Sequence, residues 1–514
     1  IKKQNENFHI NGNLKSLEQN ISKEILSILI KDNNFENVIF SSDNNFKFNI
    51  TKKFKVTDLT VDTKINLKRA ELNYKNKIIK KYLPSFNENI NFFDHLINIR
   101  YENKLFLDGF GKFQAGDHKE DMKYNLDSKD NKIIYKLFLE LNKSPIKIDL
   151  INFYKAENID SKLKIDGQKN KNKIKIKEIL LETKNSNISL EDFEFSNNFK
   201  ILNFKKIELN YVDKNVQRND LLIKNSSKNN FFISGNNFNL SNIIDDILFN
   251  DNDNSSKLFD NKNRNFKVKF KKNYIDEMHY LLNLNGNFQI KNNEVHDMIL
   301  DSYFPNNKTV VLTVKSKNKK KITTFYSDFA KPFVKKYKFI KGFENGKIDL
   351  YSIKENKISS SLLKIYDFRL KELPALTKLL TLASLQGIAD ILSGEGVGFD
   401  EFEMKFENKK KLMDIKEIYA IGPAISILME GYVQEDDLIS LRGTLVPATT
   451  INKFVGSIPI LGDILVGKKT GEGVFGVSFK IKGPPKDLKT TVNPIKTLTP
   501  RFITRTLEKI KKTN

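Results

Sequence analysis

Along most of this 514-residue chain, apolar and polar side chains alternate one for one, and no other feature limits the fold so strongly. Phe46, Phe48 and Ile50 are interleaved with Lys and Asn. The same holds for Ile65 and Leu67, Leu105 and Leu107, Ile146 and Ile148, Leu163 and Ile165, Ile174 and Ile176, Ile207 and Leu209, and Val268 and Phe270. Successive side chains of an extended strand point to opposite faces, so each run predicts a strand with one apolar and one polar face. Turns rich in Asn, Asp, Gly and Lys recur at intervals of roughly 8 to 15 residues, which predicts antiparallel, meandering β-structure. A sheet that continues this way, with few helices to cover it, packs into sandwiches or curls so that its apolar face lines an interior.

Helical spacing breaks the alternation in a few places. Leu14, Leu17, Ile21, Ile25, Ile28 and Leu29 predict an amphipathic helix ahead of the sheet. In 235–248 a strand is expected to give way to a short helix, with Ser241 as N-cap and Ile243, Ile244, Ile247 and Leu248 as its apolar face. A similar unit is expected over 328–339, on Phe329, Phe333 and Val334. Further on, Pro374 precedes an apolar helical face that includes Leu376, Leu379, Leu380, Ala383, Ile388 and Leu392, and Gly394, Gly396 and Gly398 end it. Phe399, Phe402, Met404 and Phe406 then read as a strand, and Val446 and Pro447 as the end of another. Phe454, Ile458, Ile460 and Leu461 belong to a last hydrophobic element, interrupted by Pro459.

Composition bounds the partners. The formal charge of +24 is spread along the chain as Lys beside abundant Asn and Ile, as an AT-rich coding sequence produces. Anionic lipid headgroups fit such a charge, whereas nucleic acid is disfavoured because no Arg-rich helix or aromatic RNA-binding motif accompanies it. The absence of Cys excludes disulfides, thiolate metal sites and a Cys nucleophile. The longest apolar stretch, 373–392, is interrupted by Lys378, Gln386 and Asp390 and does not read as a transmembrane helix. The chain begins with Ile and shows no signal peptide, so a longer precursor is expected.

Catalytic patterns fail on their chemistry. Gly462 to Lys468 has the spacing of a phosphate-binding loop, but Lys469 stands where Ser or Thr must reach Mg²⁺, and Ile464, Leu465 and Val466 are too bulky to let the backbone wrap a phosphate. His118 lies among Asp117, Glu120 and Asp121, a run that also describes an exposed turn. His9, His95, His279 and His296 are isolated, and no Gly-x-Ser-x-Gly elbow appears. The reading is a non-enzyme with no cofactor and no metal.

The last third carries a more specific signal. It reads LPALTKLLTLASLQGIADILSGEGVGFDEFEMKF, then IGPAISILMEGYV, LRGTLVPATTINKFVGSIPILGDILVG and GEGVFGVSFKIKGPPKDLKTTVNP. This closely resembles the C-terminal region of the AsmA-like (YhdP/TamB-type) proteins of Gram-negative bacteria, with one departure at Leu488, where the family commonly has Pro. The resemblance covers roughly the last 150 residues strongly and the rest only by pattern. It implies a long twisted antiparallel sheet curled into an elongated hydrophobic groove that carries phospholipids between inner and outer membranes, in the periplasm, with an inner-membrane anchor upstream. On that reading 1–230 is the N-terminal part of the groove, 231–372 its middle and 373–514 the AsmA-like region with helical elements.

The expected lining is Ile174, Ile176, Val268, Phe270, Val477, Phe479 and Ile481. In the resembling family the two hydrophobic elements sit at the groove end facing the distal membrane, which makes Leu376, Leu379, Leu380, Phe454, Ile458, Ile460 and Leu461 the expected contacts with membrane or membrane-bound envelope proteins. A basic amphipathic tail after Pro500 suits an anionic membrane surface or packing on the sheet. A structural or adhesive β-protein of the cell envelope remains the alternative.

Overall fold

The structure is a computed structural model. It describes residues 2–4, 7–21, 23, 34–75, 77–130, 132–170, 173–196, 200–248, 262–292, 294–334, 341–372, 396–434, 437–447, 476–484 and 487–495. The chain is mainly β, and it divides into two compact units, one of residues 1–248, 254–277 and 291–293 and the other of the remainder.

In unit 1 the strands Asn7–Ile21, Phe35–Ile50, Val56–Asn73, Asn89–Glu102, Leu105–Gln114, Glu120–Lys129 and Lys132–Glu140 pair antiparallel in sequence order. The ladder skips a small hairpin, Ile146–Ile148 with Phe153–Lys155. It resumes through Ser161–Lys169, Lys173–Thr183, Ser186–Ser196, Lys206–Val212, Arg218–Ser227 and Asn230–Asn239. In unit 2, Tyr280–Lys291, all but its last residue in this unit, pairs with Glu294–Tyr303, and an antiparallel run continues through Thr309–Lys317, Lys320–Ser327, Lys341–Glu355, Ile358–Glu372, Val397–Lys409, Leu412–Ile421, Ile425–Gln434, Leu438–Pro447, Gly476–Gly483 and Lys489–Ile495. Among the described residues no pairing joins the first and last strands of either run.

Antiparallel pairing prevails as expected, and one of the described pairings departs from it. Asn230–Asn239 and Arg264–Tyr274 pair parallel, with Ile233 opposite Val268 and Phe231 opposite Phe266. Parallel neighbours need a crossover of a dozen or more residues, often helical. Here the crossover includes the helix Ser241–Leu248. The strand-to-helix transition stands where the sequence places it, but Ser241 is the first helical residue rather than the cap. Asn239 Oδ1 accepts the Ser241 N–H at 3.0 Å, and the Ser241 hydroxyl accepts from Asn152 Nδ2 at 2.9 Å. Of the unit expected over 328–339, the described residues include the helical turn Lys331–Val334, in which Phe333 and Val334 are buried, and 335–339 lie outside the described residues.

The helix expected from Leu14, Leu17 and Ile21 is a strand. Asn7–Ile21 pairs with Phe35–Ile50, and the register slips between Ser16 and Gln19. An extra residue in a strand turns the following side chains to the other face, so apolar spacing across a bulge imitates the i, i+3 of a helix. Ile25, Ile28 and Leu29 lie outside the described residues.

Bulges recur because long strands must stay in register while one face remains apolar. In Lys173–Thr183 the apolar positions change from Ile174 and Ile176 to Ile179 and Leu181, and the register shift at Asp166/Gly167 leaves Lys177 as the extra residue. All four side chains therefore share one face. Left-handed backbone inside strands falls on Asn37, Asp58, Asp94, Asp192, Asn283, Asn345 and Asp367. Asn and Asp tolerate that conformation better than any residue but Gly, which gives the Asn-rich composition a structural use.

The skipped hairpin packs over one margin of unit 1. Phe153 meets Tyr211 edge to face at 5.6 Å, and the Tyr211 hydroxyl donates to the Ile151 carbonyl at 2.6 Å. Lys155, buried, donates to the carbonyls of Leu141, Asn142 (3.1 Å) and Ser144 (2.6 Å). Burial pulls its pKa down, with Glu120 and Glu157 opposing.

Close strand approach requires glycine at a few points. A Cβ on Gly235 would fall 2.1 Å from the Asp220 carbonyl oxygen and 2.7 Å from the Phe270 ring, whereas one on Gly398 would meet nothing within 4 Å. Gly235→Ala is therefore expected to lose about 1–3 kcal/mol, the usual range for overpacking, and Gly398→Ala to stay close to wild type. Urea unfolding of both variants checks the contrast.

Candidate functional site: an apolar face in each unit

The strand registers align apolar residues into rows that run across the strands. In unit 1 one row passes through Ile65, Ile97, Gly109, Tyr124, Leu137, Ile165, Ile179, Leu190, Ile207, Ile223, Ile233 and Val268, each directly opposite the next. In unit 2 a row passes through Leu300, Leu312, Phe325, Leu350, Leu363, Met404, Ile418, Met429, Gly443, Phe479 and Val492. Glycines in these rows lie beneath aromatic rings. A Cβ on Gly109 would come within 2.6 Å of the Tyr124 ring, and one on Gly443 within 2.8 Å of the Phe479 ring.

The two faces of a strand differ in kind. In Lys132–Glu140, Ile133, Tyr135, Leu137 and Leu139 are half-buried while the residues between them are exposed. A second sheet packed against this strand would bury such side chains almost completely. Half-burial leaves their apolar surface partly in water. Elsewhere the same face is closed. Phe193, Phe204, Phe231 and Phe266 form a buried stacked ladder with centroids 4.6–5.1 Å apart, and Phe343, Phe368 and Phe399 form another at 5.1 and 5.2 Å.

Charge goes to the opposite face. In unit 2 that face holds Glu403, buried, with Lys364 at 3.4 Å and Lys405 at 3.3 Å, and Lys405 is 3.8 Å from Glu417. From Thr309–Lys317 to Leu438–Pro447 the described positions in register with the apolar row include one acidic residue, Glu372, which ends its strand opposite Lys341.

One titratable group is buried among the apolar residues of unit 1. His95 follows Leu67 across the ladder and is 1% exposed. Its Nε2 lies 3.0 Å from the Lys112 carbonyl and its Nδ1 3.1 Å from the Tyr124 hydroxyl. The carbonyl can only accept, so Nε2 carries the proton and neutral Nδ1 accepts from Tyr124. Burial pushes the Tyr124 hydroxyl up to about 12 and pulls the His95 pKa below its ordinary 6.5.

Of the expected lining residues, Ile176, Val268, Phe270 and Phe479 are buried and Ile174 and Ile481 half-buried, all in register with the apolar rows. Val477 lies in the strand Gly476–Gly483, opposite Leu445, but its side chain is outside the described set. The expected contact residues Leu376, Leu379, Leu380, Phe454, Ile458, Ile460 and Leu461, and the tail after Pro500, lie outside the described residues. The rows also recruit residues that alternation alone missed, such as Ile179 and Tyr124. The available signal was the change of apolar parity across Lys177 and a glycine set to face an aromatic ring.

Around His118 the carboxylates have other work. Glu120 is buried and its Oε1 accepts the N–H groups of Lys143 and Ser144, each at 2.8 Å. Among the described residues no group of three or more His, Cys, Asp or Glu could hold a metal ion, and no helix is long and apolar enough to cross a membrane. No protein-family model matches the chain, and a search of curated proteins returned no match.

The His95 environment sets a pH dependence. Its folded pKa lies below the unfolded value, so the folded state takes up the proton less readily. Its contribution is full above pH 6.5 and is lost as pH falls from there to the folded pKa. Denaturant titrations at several pH values are expected to show this fall in the wild type and a shallower one in His95→Gln.

Proposed function

We propose that the chain is a non-catalytic conduit for phospholipids, whose acyl chains lie along the apolar rows while the headgroups stay in water. The observation that carries this reading is the half-buried apolar face of unit 1, continued from strand to strand by an unbroken row of Ile, Leu, Tyr and Val. A phospholipid leaving a bilayer exposes its tails at about 0.8 kcal/mol per CH₂, which makes unassisted passage through water prohibitive. A row of partly exposed apolar side chains offers the tails a substitute for the bilayer interior. Because neighbouring positions in a row are chemically alike, successive sites have similar free energy and movement between them has low barriers.

The resemblance to AsmA-like proteins supplies the setting. The chain is proposed to act in the periplasm of a Gram-negative bacterium, held to the inner membrane through a segment beyond this sequence, and to bridge inner and outer membranes in outer-membrane lipid homeostasis. The elements at 373–392 and 450–466 are proposed to meet a membrane or a membrane-bound envelope protein.

Phe479 and Lys480 provide the test, being neighbours on opposite faces of one strand, the first buried and the second exposed. Phe479→Asp puts a carboxylate in the apolar row at a cost of roughly several kcal/mol unless it finds water or a partner. It is expected to lower bound and transferred lipid, whereas Lys480→Asp leaves both near wild type. Circular dichroism and thermal melts establish that both variants fold, and the comparison is repeated with Asp at Ile174 and Phe270. Equal lipid occupancy and transfer across the whole set would contradict the conduit and favour a structural or adhesive β-protein.

A further inference from the structure

We infer that the turn 51–55 of unit 1 is an insertion tip for an anionic lipid bilayer, with Phe54 entering the membrane and Lys53 and Lys55 meeting its headgroups. The inference goes beyond the conduit and stands whether or not the apolar rows carry lipid. The turn joins Phe35–Ile50 to Val56–Asn73. The Thr51 N–H donates to the Lys55 carbonyl at 3.0 Å, the Phe54 N–H to the Thr51 carbonyl at 2.9 Å, and the Lys55 N–H to the Thr51 hydroxyl at 3.2 Å. These bonds hold Phe54 in the left-handed region, with φ at 54°. A bulky side chain is disfavoured there. The turn 304–308 closes with the same two backbone bonds and fills that slot with Asn307, a residue suited to it. Phe54 gains almost no burial in return, being 89% exposed. A strained backbone that holds an aromatic ring out in water marks a side chain with a use outside the chain.

The surroundings of the ring fit a bilayer surface. Lys53 and Lys55, on either side of it, are exposed. Directly behind the turn, Phe8, Ile50 and Val56 stand opposite one another, with Phe8 and Val56 exposed. Val56–Asn73 first pairs with Asn89–Glu102 at Thr60, so 56–59 have no neighbour on that side among the described residues. At the rise of a strand these four residues carry the turn roughly 10 Å past that neighbour. The one carboxylate in 51–59, Asp58, accepts from Asn49 Nδ2 at 2.6 Å and from the Thr57 hydroxyl at 3.2 Å. An aromatic ring that sinks to the acyl boundary, between cations that stay with the headgroups, combines the two forces that hold a segment on an anionic membrane.

The chain contains no Trp, so Phe54→Trp in the full chain places a single fluorescent reporter at the tip. With phosphatidylglycerol vesicles its emission is expected to shift to the blue and to be quenched by brominated acyl chains, and with phosphatidylcholine vesicles to change little. Adding Lys53→Gln and Lys55→Gln is expected to weaken partitioning onto the anionic vesicles about tenfold, the scale of two cations beside an anionic leaflet. Phe138→Trp, at an exposed position of Lys132–Glu140, is expected to stay unquenched. Phe54→Asn alone puts a residue suited to the left-handed slot in place, so it is expected to melt no lower than wild type while losing about tenfold in partitioning. An unquenched reporter at position 54, or unchanged partitioning of Phe54→Asn, would overturn the tip. Equal quenching in Phe138→Trp would overturn it in favour of adsorption of the whole basic chain. Quenching that persists after the vesicles are floated away would come from a carried lipid molecule and would overturn insertion while supporting the conduit. Insertion by a chain that carries no lipid would support the tip and overturn the conduit alone.

Discussion

A sheet with one apolar face must have that face covered, and every local feature of this chain is arranged around that requirement. Fully burying one Ile, Leu or Phe side chain is worth about 1.5–3 kcal/mol, so a face left half in water holds back part of that stabilisation. The rows gain what they can from one another, through cross-strand contacts such as Ile207 with Ile223 and Leu350 with Leu363. Bulges keep the rows intact where strands would drift out of register, and Asn and Asp hold the backbone in the left-handed conformation at several points inside strands. Where a row passes through Gly109 or Gly443, an aromatic ring from the adjoining strand occupies the space a side chain would have filled.

Coverage is uneven, and the unevenness bears on function. Stacked phenylalanines and the small hairpin close one part of unit 1, with Tyr211 fixed to Ile151 and Lys155 gripping three carbonyls. Strand Lys132–Glu140, by contrast, keeps its apolar side chains half exposed. An apolar ligand gains most where the protein has not already buried its own surface. The proposed conduit thus follows from where burial is missing, while Glu403, Lys405 and Glu417 in unit 2 pair with one another on the opposite face.

The alternating strands were legible because period 2 is a property of neighbouring residues. Phe46 to Ile50, Leu163 with Ile165, and Phe399 to Phe406 all fall in strands. Features set by pairing were harder to read. Leu14 and Leu17 imitated helical spacing because a bulge lies between their neighbours Ser16 and Gln19. The parallel pairing of Asn230–Asn239 with Arg264–Tyr274 depends on a crossover, and the sequence of either strand carries no mark of its direction. Phe479 was legible as a member of an apolar face, since its alternation with Lys480 survives intact in the strand.

The most direct test of the account is native mass spectrometry of the chain purified in mild detergent from cells that make it. If the apolar rows hold acyl chains, the spectrum shows several phospholipid molecules on each protein, and stripping them leaves the fold intact but exposes surface that binds a hydrophobic dye. A lipid-free protein of unchanged fold, with no dye binding, would mean that the apolar faces are satisfied by the protein alone and would contradict the conduit.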